Sequence, residues 1–350
     1  MTKKGIIYRA IKLRDVAAAA NVSVITASRA LRTPDIVSEK VRLRVEEAVN
    51  ALGYTPNQAA RALASATTST IGVLIPSVTN LVFSDVMRGI YDAVEGTPYQ
   101  VQLGNTRYTN RKEEELLRVF AAQRPMGLIV SGIDHSLAAR TMLESFSCPV
   151  VQIMDIGPDP IDMMIGFDHR EGGRAAVRHL LDKGYRRIGF IGARMDPRAQ
   201  RRLDGYCDVL HAAGLYDENR IYTSPQPSSV TRGSEMFADF LGMVPDADSV
   251  FCNNDDMALG ALFECQRRRM RVPQQFGIMG YNDLDYTAAS TPTISTIRTL
   301  RYEMGHRAIE MIVASTKGRR PEPAIIDVGY ELKARQSTDR NQAERPGGET

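Results

Sequence analysis

Short apolar runs rich in β-branched residues alternate with helix-length amphipathic patterns through most of this 350-residue chain. The runs STIGVLIPS, MGLIVSG and RRIGFIGA have no polar face, and segments such as GGRAAVRHLLDKG lie between runs of this kind. Strands that are apolar on both faces, with helices between them, predict a parallel sheet that is covered by helices on both sides. Eight such runs are too many for one small sheet, so we predict two doubly wound α/β subdomains.

The N-terminal part of the chain has a different pattern, which predicts short helices and no strands. One helix is expected from Asp15 to Ala20, a second after the N-cap Ser23 and a third after the N-cap Ser38. Asn21 suits a tight turn because it tolerates left-handed backbone. Residues 1–65 contain 11 Lys or Arg against 5 Asp or Glu, so this basic head suggests an anionic partner.

The second of these helices has more apolar residues than a small core needs. The small core of the head is complete without Val24 and Ile25, since it is supplied by Val16, Ala17, Ala20, Val22, Ala27 and Leu31. In a helix-turn-helix the first turns of the second helix enter the major groove, where thymine methyl groups are displayed. We therefore predict that Val24 and Ile25 face DNA; the alternative is that they pack against the third helix.

Other functional classes lack their usual sequence signals. The chain has no P-loop, no GxSxG motif, no metal-ligand spacing and no GxGxxG after a strand. No apolar run approaches the ~20 residues of a membrane span, no signal peptide is evident, and the four cysteines are scattered. We predict no enzymatic activity, no metal, no cofactor, no membrane association and a cytoplasmic location.

The motifs taken together resemble LacI-type bacterial transcription regulators over almost the whole chain, to about residue 335. The resemblance rests on LRDVAAAANVSVITASRAL and GYTPNQAARALAS in the head, and on GFDHREGG, RRLDGY, NNDDMALGA and GIMGYNDLD in the body. Within that family, IPSVTN, GAR, CNNDDMALGA and FECQR most resemble the gluconate-utilisation repressors.

The resemblance implies four segments along the chain. Residues 1–55 are expected to form an all-α helix-turn-helix domain, and residues 56–69 a hinge helix and linker. Residues 70–335 are expected to form a periplasmic-binding-protein-like body of two parallel-sheet subdomains that binds an effector and dimerises. The polar tail, residues 336–350, is predicted to be disordered and lacks the leucine heptads that support tetramers.

The residues assigned to DNA combine the second helix with flanking backbone contacts and the hinge. In the family, paired hinge helices enter the minor groove, where Leu63 would wedge a base step open. An incidental leucine in a linker is the alternative for Leu63, and a plain helix cap is the alternative for Ser38. The predicted set is Lys12, Ser23, Val24, Ile25, Ser28, Arg29, Ser38, Asn57, Ala60 and Leu63.

The residues assigned to the effector follow the family pattern at the carboxyl ends of the predicted strands. Arg202, in RRLDGY, stands where the family places an arginine on its ligand, and fork-shaped donors suit a carboxylate or vicinal hydroxyls. Asn282 departs from the Asp of many members, which removes repulsion towards an anion. The predicted set is Asn80, Phe83, Ser131, Asp155, Phe167, Arg194, Arg198, Arg202, Asn254 and Asn282.

The resulting hypothesis is a homodimeric repressor that binds a pseudo-palindromic DNA operator and responds to a sugar acid of the gluconate or ketogluconate class. A neutral sugar as effector, or a corepressor in place of an inducer, remains open because the sign of the coupling is not written in these motifs. A cytoplasmic sugar-binding protein and an α/β enzyme with a helical head are more distant alternatives.

Overall fold

The computed structural model describes residues 11–54 and 68–340, which divide into two compact units between Thr68 and Ser69. The described part of the first unit contains the helices α1 Leu13–Ala19, α2 Val24–Arg32 and α3 Glu39–Leu52. The described helices of the second unit are α4 Val82–Val94, α5 Asn110–Gln123, α6 Leu137–Glu144, α7 His169–Asp182, α8 Pro197–Ala212, α9 Val230–Met243, α10 Asp255–Arg267, α11 Tyr286–Ala289 and α12 Arg301–Thr316.

The strands all lie in the second unit, among the residues described. They are β1 Thr70–Ile75, β2 Gln100–Asn105, β3 Gly127–Ser131, β4 Val150–Ile153, β5 Met163–Gly166, β6 Ile188–Ala193, β7 Ile221–Ser224, β8 Ser249–Cys252, β9 Gly277–Met279, β10 Thr296–Thr299, β11 Ile325–Asp327 and β12 Tyr330–Lys333.

The first unit is a three-helix head built around small side chains. Val16 of α1 and Ala20, which directly follows α1, pack with Ala30 of α2 and Val45 of α3 in one buried cluster. Alanines at these positions let the helix axes approach closely, since no longer side chain has to be accommodated between them. The turn predicted at Asn21 is confirmed, because this residue has a φ of 51°, in the left-handed region.

The first subdomain of the second unit contains a six-stranded sheet in the order β11-β5-β4-β3-β1-β2, with every neighbouring pair parallel. Strand order reverses between β1 and β3, which makes this the topological switch point of the sheet. Helices α4 and α12 pack along each other beside it. Gly89 and Gly305 permit this approach, because a Cβ on either would strike the backbone of the opposite helix.

The second subdomain contains a four-stranded parallel sheet in the order β7-β6-β8-β9. Here the switch point lies between β6 and β8. Ligands of such sheets bind outside the carboxyl ends of the strands at the switch point. The topology therefore directs attention to the segments that follow β1 and β3 in one subdomain and β6 and β8 in the other.

The chain passes between the two subdomains three times. It leaves the first sheet after β5, returns from β10 into α12, and leaves again between β11 and β12. Strand β11 pairs with β5, whereas β12 pairs antiparallel with β10. The predicted fold class, a helix-turn-helix head with a body of two parallel-sheet subdomains, is confirmed.

The C-terminal segment corrects one predicted boundary. The disordered tail was predicted to begin at residue 336, but Gln336–Thr338 forms a 3₁₀ turn in which Ser337 and Thr338 are buried. The Ser337 hydroxyl donates to the Ile278 carbonyl at 2.6 Å, and Thr338 Oγ1 lies 2.7 Å from His179 Nε2. Residues 336–340 thus belong to the body, while residues 341–350 lie outside the described residues.

Candidate functional site

The outer face of α2 carries the two apolar residues that the sequence singled out. Val24 is 48% exposed and Ile25 is 65% exposed, whereas Val16 and Ala27 are fully buried. The alternative packing of Val24 and Ile25 against the third helix is therefore wrong. Their outward position agrees with the predicted DNA-reading face, although contact with DNA itself stays a prediction.

The start of α2 is fixed by its predicted N-cap. The hydroxyl oxygen of Ser23 accepts a hydrogen bond from the backbone N–H of Thr26 at 3.0 Å, which satisfies one of the unpaired donors of the first turn. Arg29 is exposed and Ser28 is half-buried one turn further along α2. The first turn of this helix consequently presents a short surface of Val24, Ile25 and Arg29.

Two other head residues were assigned to the DNA backbone. Lys12 is exposed and lies immediately before α1, where its own N–H donates to Asp15 at 2.8 Å. Ser38 occupies the predicted N-cap position of α3, although its side chain makes no capping hydrogen bond. The hinge residues Asn57, Ala60 and Leu63 lie outside the described residues.

A cavity between the two subdomains of the body gathers most of the predicted effector residues. Most of its lining comes from the segments that follow β1 and β2 in the first subdomain and from those that follow β6, β8 and β9 in the second. The predicted residues that line it are Asn80, Phe83, Arg194, Arg198, Arg202, Asn254 and Asn282. Lining residues that the sequence analysis missed include Tyr108, Met154, Asp196, Ser228, Asn253 and Asp256.

The wall from the first subdomain is organised around Asn80, which follows β1. Its Nδ2 donates to the Tyr108 hydroxyl at 3.0 Å, and its Oδ1 accepts from the Val82 N–H at 3.0 Å. Phe83 is almost fully buried in the core of this subdomain, yet it also forms part of the cavity wall. Tyr108 follows β2 closely, and that position after a strand is the signal that could have identified it.

The wall from the second subdomain carries Arg194 and Arg198, which follow β6. The guanidinium of Arg194 lies 4.2 Å from the centre of the Tyr108 ring, a cation–π contact between the subdomains. Arg198 Nη1 donates to the Ser131 hydroxyl at 3.1 Å, and Arg198 Nη2 lies 3.7 Å from Asp196. Both guanidinium groups therefore meet the opposite wall.

Arg202 lines the cavity, but the protein already engages much of its guanidinium. Its Nη1 donates to the Asn253 carbonyl at 2.6 Å, its Nε donates to His169 Nδ1 at 3.2 Å, and the group lies 4.0 Å from the Tyr281 ring centre. The side chain is also largely buried. Arg202 therefore braces the cavity wall in addition to any contact it makes with an effector.

The remaining residues of the second wall come from the segments after β8 and β9. Asn254 caps α10 by accepting from the Met257 N–H at 3.1 Å. Asp256 lines the cavity and accepts from the Tyr286 hydroxyl at 2.6 Å, and burial raises the pKa of its carboxyl. Asn282 is buried, and its backbone has a φ of 117°, which is unusual for a residue other than glycine.

Three predicted effector residues do not line this cavity. Asp155 is buried and forms an ion pair with Arg201 at 2.8 Å, so its carboxylate is already engaged. Phe167 is fully buried, with its ring centre 4.2 Å from that of His169. Ser131 accepts the hydrogen bond from Arg198 and lines a neighbouring, more open cleft instead. A role for these three residues in effector binding stays a prediction.

Residues 11–54 and 68–340 provide no group of His, Cys, Asp and Glu that could hold a metal ion. Among the same residues, no helix is long and apolar enough to cross a membrane.

Comparison with known proteins identifies the family. A family model described as "Bacterial regulatory proteins, lacI family" matches residues 12–57, and one described as "Periplasmic binding protein-like domain" matches residues 177–338. The HTH-type transcriptional regulator GntR of Pseudomonas aeruginosa is 40% identical over 326 residues, which are 93% of this chain and 95% of that protein. This chain belongs to the LacI family. It is a DNA-binding transcriptional regulator and not an enzyme.

Other relatives also match this LacI-family regulator over most of its length. GntR of Escherichia coli K12 is 35% identical over 320 residues, covering 91% of this chain and 96% of that protein. A solved LacI-family regulator from Silicibacter pomeroyi is 36% identical, with a TM-score of 0.89, and the match covers 94% of this chain and all of that one. A lac repressor dimer bound to operator, 24% identical with a TM-score of 0.81 over 94% of this chain and 99% of that one, shares the fold.

Proposed function

We propose that this LacI-family regulator is a repressor whose affinity for a pseudo-palindromic operator is controlled by a sugar acid of the gluconate or ketogluconate class. The observation that carries the effector class is the charge around the cavity. Three guanidinium groups line it, those of Arg194, Arg198 and Arg202, against the carboxylates of Asp196 and Asp256. An anionic ligand fits this excess of positive charge better than a neutral one.

The environment of each charged group strengthens this preference. Burial raises the pKa of Asp256 and disfavours its charged form, and this effect exceeds the opposite effect of the hydrogen bond from Tyr286. Asp196 lies 3.7 Å from Arg198, which is too far for a tight ion pair. Arg194 contacts the Tyr108 ring. Arg194 and Arg198 are thus the groups best placed to pair with a carboxylate of the ligand.

The rest of the cavity suits a chain of hydroxyl groups. Asn80, Asn254 and Asn282 place amide groups on both walls. An amide both donates and accepts hydrogen bonds, as a polyol requires of its partners. A hexonate has one carboxylate and several hydroxyls, which matches the arginine side and the asparagine side of one cavity. The resemblance to gluconate-utilisation repressors supports the same class.

DNA recognition is assigned to the exposed start of α2, in a homodimer that presents two heads to the two half-sites of an operator. The effector and the operator bind different parts of the chain, and a change that one ligand makes in the affinity for the other is reciprocal. A repressor released by its effector requires that each ligand weakens the binding of the other. The regulator then acts at the chromosome and needs no cofactor.

Calorimetric titration of the full-length protein tests the effector class. We expect gluconate or 2-ketogluconate to bind, and the matched neutral compounds glucose and glucitol to bind at least tenfold more weakly. Arg198→Met should lose most of that preference for the acid, because it removes a guanidinium from the cavity. Arg232→Met is the matched control, since Arg232 pairs with Glu235 on α9 and does not line the cavity.

Equal binding of the acid and the neutral compound by the parent protein would contradict the sugar-acid assignment and favour a neutral sugar. Equal effects of the Arg198 and Arg232 substitutions would contradict the role given to the cavity arginines.

A further inference from the structure

Three arginine side chains of the second subdomain reach across to the first subdomain. Arg194 and Arg198 line the cavity, as described above. The third, Arg201, does not line it. Arg201 projects from α8 and meets two carboxylates of the first subdomain, Asp134 and Asp155. It therefore joins the same two walls at a separate place.

The geometry at Arg201 is that of a strong ion pair. Its Nη2 lies 2.6 Å from Asp134 Oδ1, and its Nη1 lies 2.9 Å from Asp134 Oδ2, so the pair with Asp134 is bidentate. The same Nη1 lies 2.8 Å from Asp155 Oδ2. Charge-assisted bidentate bonds of this kind fix orientation as well as distance. We refer to Arg201, Asp134 and Asp155 as the Arg201 latch.

The latch depends on the angle between the subdomains. Asp134 follows β3 and Asp155 follows β4, both in the first subdomain, whereas Arg201 lies on a helix of the second. A rotation that widens the cavity must separate these groups and break three hydrogen bonds. Asp155 is only 1% exposed and burial raises its pKa to about 6, so losing its cationic partner drives this carboxylate to take up a proton, which costs free energy at neutral pH. The latch therefore favours the closed arrangement.

We propose that Arg201 is a positioning residue for the effector, which stabilises the closed arrangement of the subdomains without touching the ligand. In that arrangement, side chains from both subdomains line one cavity, so a small ligand can contact both walls at once. A larger population of the closed state raises the apparent affinity for such a ligand. This inference rests on the proposed function only in its use of a sugar acid as the probe.

The test compares two bidentate Arg–Asp pairs in the full-length protein. Arg201→Ala removes the latch, and Asp134→Ala weakens it without uncovering the buried Asp155. Arg170→Ala is the matched control, because Arg170 forms a bidentate pair with Asp208, at 2.7 Å for each bond, inside the second subdomain. We expect the gluconate Kd to rise about tenfold in Arg201→Ala and severalfold in Asp134→Ala. It should stay within twofold in Arg170→Ala.

A double substitution and a ligand-free measurement complete the test. Arg201→Ala combined with Asp134→Ala should raise the Kd no more than Arg201→Ala alone, because both remove one interaction. Small-angle X-ray scattering without sugar should show a larger radius of gyration for Arg201→Ala than for Arg170→Ala. An unchanged or lowered Kd in Arg201→Ala, or equal radii of gyration, would overturn the latch. If the parent protein bound no sugar acid, the proposed function would fail, and the scattering comparison would still decide the latch.

Discussion

Arg202 and His169 form a fully buried hydrogen bond at the base of the cavity, with Arg202 Nε 3.2 Å from His169 Nδ1. The arginine can only donate, so Nδ1 accepts, and the other ring nitrogen, Nε2, donates to the Met154 carbonyl at 2.8 Å. This arrangement requires a neutral imidazole. Burial and the nearby Arg202 charge hold the pKa of His169 well below its usual range, in agreement.

Arg202→Met tests whether Arg202 braces the cavity wall. The substitution leaves His169 Nδ1 and the Asn253 carbonyl without their donor, so we expect a loss of about 2–4 kcal/mol in the free energy of unfolding. Urea denaturation measures this loss. Arg198→Met is the control and should cost less than about 1 kcal/mol, because Arg198 donates to a single neutral hydroxyl. Equal stability of Arg202→Met and the parent would show that Arg202 acts only through the ligand.

Val24 and Ile25 should make operator binding sensitive to thymine methyl groups. Replacing both residues by alanine should weaken specific operator binding about tenfold and leave non-specific binding unchanged. Fluorescence anisotropy with a labelled operator and a scrambled DNA of equal length measures both affinities.

Operator DNA with uracil in place of thymine provides the matched comparison for these two residues. It should bind the parent more weakly, but it should bind the double alanine variant as well as thymine DNA does. An operator that binds the parent equally well with either base would refute the methyl-reading role of Val24 and Ile25.

Asn282→Asp should discriminate against an anionic effector. The new carboxylate would lie on the wall of the same cavity as Asp256, so it would repel a sugar acid and reduce the net positive charge. We expect the gluconate Kd at pH 7.5 to rise about tenfold and the binding of glucitol to change less than threefold. Calorimetry on both ligands measures this, and an equal change for the two would contradict the electrostatic explanation.

Asp255 should give the stability of the body a distinctive pH dependence. Its carboxylate accepts from the Leu284 N–H at 2.8 Å and the Thr296 hydroxyl at 2.7 Å, but burial dominates and raises its pKa from 3.8 to about 6. Between about pH 4 and pH 6 the folded state therefore binds more protons at this site than the unfolded state. By linkage, its contribution to the free energy of unfolding falls as the pH rises through this interval.

Asp255→Asn removes this contribution. The stability of the parent minus that of Asp255→Asn, measured by urea denaturation, should decline from pH 4 to pH 6 and level off above. Asp208→Asn is the control: hydrogen bonds from Arg170 and Arg174 lower the pKa of Asp208 to about 2, so its contribution is present above about pH 4 and lost below. The corresponding Asp208 difference should be flat from pH 4 to pH 6. A flat Asp255 difference would contradict the raised pKa.

The sequence predicted the central strands of both sheets because they are apolar on both faces. It missed β7, β10, β11 and β12, which are only three or four residues long and include polar residues, and so lack a continuous apolar run. It also missed that residues 336–340 pack on the body, since buried serine and threonine leave no hydrophobic signal. Burial of polar side chains through hydrogen bonds such as that of Ser337 becomes visible only in three dimensions.

For the cavity, the carboxyl ends of the strands were the informative signal. Asn80, Arg194, Arg198 and Asn254 all follow central strands at or next to the switch points, and all line the cavity. Pairing between distant segments was not predictable from one sequence. The motif RRLDGY indicated Arg202 as a ligand residue. It did not indicate that the neighbouring Arg201 forms an ion pair with Asp155.

The most direct test of the account is the response of the operator complex to a sugar acid. The full-length protein is bound to labelled palindromic DNA from upstream of its own gene, and gluconate or 2-ketogluconate is titrated in while anisotropy is followed. We expect at least one of these acids to lower operator affinity tenfold or more, whereas glucitol should leave it unchanged. An operator affinity that no sugar acid changes, or that a sugar acid raises, would contradict a repressor released by its effector.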